Sequence, residues 1–170
     1  YNPRVVILTS VEHDHVDIYP DPASYRAAFE GLIARIPEDG LLVAYAGDPE
    51  VRKLAKQARC PVRFYALASD DCGDVAPIYS AALAAVEAGA QPFDLFGGGS
   101  FLSRVYSPLS GAHNARNVLA AVIAAVEGAG MQLGAALETV PHLAGVKRRQ
   151  ELLGVAGGVY VYEDFAHHPT

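Results

Sequence analysis

Arg4-Val-Val-Ile-Leu-Thr9 is an unbroken, β-branched apolar run, the pattern of a strand buried on both faces of a parallel sheet. After a polar stretch, Asp21-Pro22 starts a helix with Pro in its first turn and Phe29, Leu32, Ile33 and Ile36 on one apolar stripe. Pro37-Glu-Asp-Gly40 ends it, and Leu41 to Ala46 predicts the next strand. Asp48 then caps a second helix, with Pro49 at its first position, running to about Ala58. Cys60-Pro61 interrupts, and Val62 to Ala66 gives a third strand. Strands alternating with helices at this spacing predict an open, largely parallel sheet.

The middle of the chain breaks this rhythm. Ile78 to Val86 is alanine-rich and helical by propensity alone. We read it instead as a strand, followed by Pro92 to Phe96 and Phe101 to Tyr106, with turns at Gly89 and Gly97-Gly98-Gly99. Three strands joined by short turns make an antiparallel meander. From about Ala112 to Ala129 the helical period returns, with Val118, Leu119, Val122, Ile123 and Val126 on one face and Gly128 and Gly130 at its end. A shorter helix, Leu133 to Val140, precedes Pro141, and Glu151 to Leu153 and Val159 to Tyr162 read as two strands around Gly154 and Gly157-Gly158. The fold class is α/β: a mostly parallel sheet flanked by helices, with an added antiparallel β meander.

Bulk composition narrows the function classes. With 51% hydrophobic and 19% charged residues the 170-residue chain is globular rather than disordered, and its length is enough to bury a real core. A net charge of −6 argues against nonspecific nucleic-acid binding, which needs a basic surface to displace counterions. No apolar run approaches the roughly 20 residues that span a bilayer, no signal peptide is evident, and Tyr1 rather than Met suggests a trimmed start. Cys60 and Cys72 match neither a zinc knuckle nor a redox pair, so packing thiols in a reducing cytoplasm are expected.

Four clusters hold residues able to do chemistry. Glu12-His13-Asp14-His15, with Asp17, follows the first strand, where imidazoles and carboxylates can hold a divalent cation if His13 and His15 share a side. The same residues read equally as a solvated loop with Asp17 capping a helix. His113 and Asn117 lie four apart at the start of the long helix and so on one face, able to read a purine edge or simply to cap. Lys147-Arg148-Arg149 is either a phosphate clamp or a plain basic patch. Asp164, His167 and His168 close the chain where a strand ends, the part of an α/β sheet that usually holds ligands. Gly97-Gly98-Gly99-Ser100 lacks the Gly-Lys-Ser/Thr ending of a phosphate loop and reads as a turn.

These clusters, in this order, resemble the Mur ligases. Val11-Glu-His-Asp-His-Val-Asp-Ile-Tyr-Pro20 is similar to the family's N-x-E-x-DH-x-D-x-Y/F segment, with Thr9-Ser10 where Thr-Asn or Asn-Asn is usual. Gly111-Ala-His-Asn-Ala-Arg-Asn117 looks like its G-x-HN-x-x-N, Gly145-Val-Lys-Arg-Arg-Gln-Glu151 like its G-V-x-RR-x-E, and Glu163-Asp-Phe-Ala-His-His-Pro-Thr170 like its DDF/Y-x-HHPT. The resemblance implies ATP and Mg²⁺: His15 as a magnesium ligand, His113 and Asn117 on the adenine, Arg149 at the γ-phosphate, Asp164 near the ribose and phosphates, and His167 receiving the amino substrate. Asn114 is assigned to structure. Glu30 stands where some members carry a carbamylated lysine. The implied reaction activates a carboxylate as an acyl phosphate, which an amine then displaces.

Residues 1–163 are accordingly expected to be part of the central, ATP-binding domain, and 164–170 to begin the linker into a C-terminal domain. The family's phosphate loop is absent from the sequence, so the chain alone is expected to be inactive. Among the branches, the segments around His15 and Asp164 look most like the ligase that joins L-alanyl-γ-D-glutamyl-meso-diaminopimelate to UDP-N-acetylmuramate in peptidoglycan recycling. The alternative is the branch that adds L-alanine to UDP-N-acetylmuramate, from whose usual Tyr Phe165 departs. Two further classes compete: a small metal-dependent hydrolase centred on His13, His15, His167 and His168, and a non-enzymatic α/β interaction domain.

Overall fold

β2 (Leu41–Tyr45) is buried on both faces, and that sets the architecture. Leu42 and Ala44 point into a core shared with Val6, Leu8, Ile33, Val51 and Leu54. Leu41 and Val43 join the opposite core, with Tyr65, Phe93, Val118, Leu119 and Ile123. The computed structural model, which describes residues 2–148 and 151–166, is thus a sheet with helices on both sides. Strands β1 (Val5–Leu8), β2, β3 (Val62–Leu67), β4 (Tyr79–Leu83), β5 (Gln91–Gly97) and β6 (Ser100–Ser107) lie side by side in chain order. The first four are parallel, and β5 and β6 continue the same sheet antiparallel.

On one face sit α1 (Pro22–Ile33) and α2 (Pro49–Ala55). Asp21 caps α1 by accepting from the Ser24 N–H at 2.8 Å, and Asp48 caps α2, each relieving donors that a helix start leaves open. On the other face lie α3 (Ala112–Ile123) and α4 (Leu133–Thr139). α3 widens into a π turn over Ala124–Gly128, where a Cβ on Gly128 would come within 2.7 Å of Val5 Cγ2. Glu127 of that turn accepts from Arg63 Nε at 2.7 Å and from the Tyr79 hydroxyl at 2.5 Å, which pins the helix end to β3 and β4. A separate two-stranded sheet pairs β7 (Glu151–Ala156) with β8 (Val159–Glu163).

The expected meander is present and forms one edge of the main sheet. Its first strand stops at Leu83, short of Val86, because the chain turns through an isolated Glu87–Ala90 bridge. Gly98 and Gly99, with φ of 55° and 80°, make the β5–β6 turn. α1 ends at Ile33, so Ile36 reaches the core from the turn that follows, and α2 ends at Ala55 rather than Ala58. α4 gives way at Thr139 to a 3₁₀ turn, Val140–His142, which accommodates Pro141. Gly154 lies inside β7 at a register shift, not in a turn. No helix among the described residues is long and apolar enough to cross a membrane.

Candidate functional site

Strand direction sends the loops after β1, β2, β3 and β6 to one edge of the sheet, the edge where open α/β sheets bind ligands. Asp48 organises its first part. Its Oδ1 accepts from the N–H groups of Glu50 at 2.7 Å and Val51 at 3.1 Å, and its Oδ2 from Val11 N–H at 3.0 Å. One carboxylate thereby caps α2 and holds the loop that leaves β1.

Within that loop the two imidazoles part company. His13 Nε2 donates to the Tyr19 carbonyl at 2.8 Å, and its ring meets Tyr25 edge-on at 5.7 Å. His15 has a φ of 53°, and its carbonyl accepts from the N–H groups of Ile18 and Tyr19. Its side chain is 60% exposed, 3.8 Å from Asp14. The expectation that His13 and His15 face one site therefore fails: one imidazole closes the loop while the other projects into solvent. Asp17 lies in the turn, and the α1 cap is Asp21. Beside them a pocket of about 250 Å³ is lined by Val11, His13, Pro22, Tyr25, Arg26 and Glu50. Arg26 is committed to Glu50 at 2.5 Å.

The second part of the edge is built on α3. Gly111 precedes it with a φ of 91° and supplies no side-chain cap. Asn114 Nδ2 donates to the Ser110 carbonyl at 2.8 Å, the structural part expected of it. His113 and Asn117 are both exposed on one face of the opening turns. Buried Gln91 braces the approach by donating to the Ala84 carbonyl at 2.7 Å and accepting from Gly111 N–H at 3.5 Å.

Beneath lies a cluster that the sequence reading missed. The Arg116 fork grips Asp70, with Nε on Oδ2 at 3.0 Å and Nη2 on Oδ1. Its guanidinium stands 5.1 Å over the Tyr45 ring. Asp70 Oδ2 also accepts from Leu67 N–H at 2.8 Å. Burial pushes the Asp70 carboxyl up, but Arg116, the Leu67 N–H and the Tyr45 hydroxyl outweigh it and hold the group below the usual carboxylate range. Burial drives the Tyr45 hydroxyl the other way, up to about 12. The available signals were an Asp three residues beyond a strand end and an Arg at the border of an apolar helix face. Neither names its partner.

A third group of candidate residues lies around 145–148 and the end of β8. A Cβ on Gly145 would touch Leu109 at 3.1 Å, which sets this segment against the β6–α3 loop. Arg148 binds Glu163 at 3.1 Å, its N–H donates to Glu151 at 2.8 Å, and its carbonyl accepts from Phe165 N–H at 2.8 Å. It is thus a clasp across the β7–β8 ends. Asp164 follows β8 directly and is exposed. Arg149, His167 and His168 lie outside the described residues.

The donor set for a metal is partial. Among the described residues no three His, Cys, Asp or Glu side chains converge as a cation site, so His15 would need ligands from elsewhere. Cys60 and Cys72 are free, and burial raises both thiols, which favours packing over nucleophilic roles.

A model of the Mur ligase middle domain matches residues 1–125. The UDP-N-acetylmuramate–L-alanine ligase of Rhodococcus opacus (strain B4) is 37% identical, over 100% of this chain and 36% of its own length. The corresponding ligase of Kineococcus radiotolerans is 40% identical, over 100% and 35%. The solved UDP-N-acetylmuramate-alanine ligase of Thermotoga maritima superposes with a TM-score of 0.77 at 25% identity, covering 99% of this chain and 36% of that one. The UDP-N-acetylmuramate:L-alanyl-gamma-D-glutamyl-meso-diaminopimelate ligase of Neisseria meningitides gives 0.69 at 29%, covering 87% and 42%. The chain spans about a third of the length of the curated relatives it matches.

Proposed function

The chain belongs to the Mur ligases, and from that premise we propose that the protein carrying it is an ATP-dependent ligase that joins L-alanine to UDP-N-acetylmuramate in the cytoplasm. The observation that carries this reading is the agreement of curated relatives at 37% and 40% identity, all along the chain, on ligases of that name. We assign residues 1–163 to the middle domain and 164–170 to the start of the link into the next one. ATP, when bound, would supply the phosphoryl group that activates the muramate carboxylate. His113 and Asn117, exposed side by side where α3 begins uncapped, fit the polar edge of its base. Asp164 would lie by the ribose and phosphates, Arg149 by the γ-phosphate, and His167 by the incoming amine. His15 would contribute one ligand to Mg²⁺. With no phosphate loop in its sequence, the chain by itself would not hydrolyse ATP.

A second reading keeps the site and changes the amine. The murein peptide ligases, at 29% and 27% identity among solved structures, favour L-alanyl-γ-D-glutamyl-meso-diaminopimelate, as do Phe165 and the residues around His15. Peptidoglycan recycling would then replace biosynthesis. The test uses the full-length protein with UDP-N-acetylmuramate and Mg-ATP, following phosphate release and product mass with either amine. L-alanine is expected to be preferred. Preference for the tripeptide would install the second reading, and no turnover with either would remove both.

A further inference from the structure

α3 starts with no side-chain cap on the N–H groups of its first turn. Gly111 has no side chain to cap with, and Asn114 reaches only back to Ser110. The buried face of α3, Ala115, Val118 and Leu119 among it, seats the helix on the sheet, and Arg116 adds a polar anchor at its start. Its planar fork is held flat between the Tyr45 ring and both oxygens of Asp70, and Asp70 is itself fixed by the backbone of Leu67. Tyr45 and Leu67 are the last residues of β2 and β3. The helix start is therefore referenced to two strand ends through one guanidinium.

Two features argue against a direct ligand role for that guanidinium. Its charge is already matched by Asp70, whose side chain is only 6% exposed, and its face is covered by an aromatic ring. By contrast His113, one turn before Arg116, and Asn117, the residue after it, are both exposed. A side-chain tip sits about 6 Å from a helix axis, so a rotation of about 10° displaces it by about 1 Å, enough to break a hydrogen bond.

We propose that Arg116 and Asp70 are positioning residues for nucleotide-base recognition: on the seat that the buried face of α3 provides, their ion pair trims the orientation of the helix start at which His113 and Asn117 read a purine edge. The inference rests on the ligase reading above and extends it to residues that touch neither base nor phosphate. Lys cannot replace Arg here, because an ammonium keeps the charge but lacks the planar fork and stacks less well.

The experiment measures equilibrium binding of ATP and of GTP to the full-length protein and its Arg116→Met, Arg116→Lys and Asp70→Asn variants. Readings are taken below each unfolding midpoint, with the near-ultraviolet circular dichroism of the tyrosines reporting the fold. The ATP Kd is expected to rise about tenfold, the worth of one misplaced hydrogen bond, and the preference for ATP over GTP to fall with it. Arg116→Lys and Asp70→Asn keep the test open if Arg116→Met does not fold. An unchanged ATP Kd and preference in a folded variant would overturn the proposal, as would equal weakening of both nucleotides, which indicates general loosening. A wild-type protein that binds neither nucleotide would overturn the ligase reading itself, and that result appears before any substitution is made.

Discussion

Val11 hangs from Asp48: its backbone N–H donates to Oδ2 at 3.0 Å while Oδ1 caps α2. The loop bearing His13 and His15 is therefore tied at its root to the next βα unit. That tie is made by a carboxylate with both oxygens in use.

Asp48→Ala should remove the cap and the tie together. A lost cap costs about 1 kcal/mol and a half-buried N–H left without its partner about another. Destabilisation of about 2 kcal/mol is expected in chemical denaturation, with faster hydrogen exchange at the Val11 amide. Asp48→Asn, with a single acceptor oxygen, should recover the cap but not the Val11 tie, about half of the loss. Unaltered exchange at Val11 in the Ala variant would show that the loop is held some other way.

His15 separates fold from function. Its φ of 53° is a backbone state that costs a side-chain-bearing residue roughly 1 kcal/mol, and its exposed imidazole packs against little. His15→Gly should leave stability unchanged or raise it by up to about 1 kcal/mol. The same substitution should abolish most Mg²⁺-dependent turnover of the full-length protein if His15 is a metal ligand. Wild-type turnover at every Mg²⁺ concentration would strip His15 of that role.

Tyr65 is fully buried, and its hydroxyl has no hydrogen-bond partner among the described residues. Burial pushes the pKa of that hydroxyl above the ordinary tyrosine range. A desolvated, unpaired hydroxyl costs about 1–3 kcal/mol, and deleting it keeps the ring in its packing. Tyr65→Phe should stabilise the protein by about 1 kcal/mol. A loss of stability would mean that the hydroxyl is satisfied after all, by a buried water for instance.

The sheet was legible in the sequence because its signals are local. The apolar run of Val5–Leu8, the Asp21 and Asp48 caps and the paired turn glycines at 98 and 99 each report on a few neighbouring residues. The candidate site was legible only where it is carried by contiguous motifs. His113 and Asn117 share a face because helical geometry requires it, whereas the fates of His13 and His15 depend on Tyr19, Tyr25 and a left-handed turn. Arg116 and Asp70 lie 46 positions apart, and only the return of α3 across the sheet after β6 brings them together. Arg148 was ambiguous for the same reason, since its partner Glu163 lies on the far strand of the hairpin.

The Asp70–Arg116 pair gives stability a defined acid limb. Burial raises the Asp70 carboxyl, yet Arg116, the Leu67 N–H and the Tyr45 hydroxyl together leave it lowered. A carboxylate whose folded pKa lies below its unfolded value, about 3.9, stabilises the fold fully above that value. The contribution disappears as pH falls through the folded pKa, because protonation then costs the folded state no more than the unfolded one. Asp70→Asn leaves Arg116 partly buried without a counter-charge, a loss of about 3 kcal/mol near neutral pH. The difference between wild type and Asp70→Asn should hold steady from pH 7 to about pH 5 and shrink below about pH 4. Denaturant titrations at spaced pH values read that difference directly. A gap that stays constant down to pH 2.5 would mean that Asp70 does not titrate with a lowered pKa, and a gap that widens with acid would reverse the sign of the coupling.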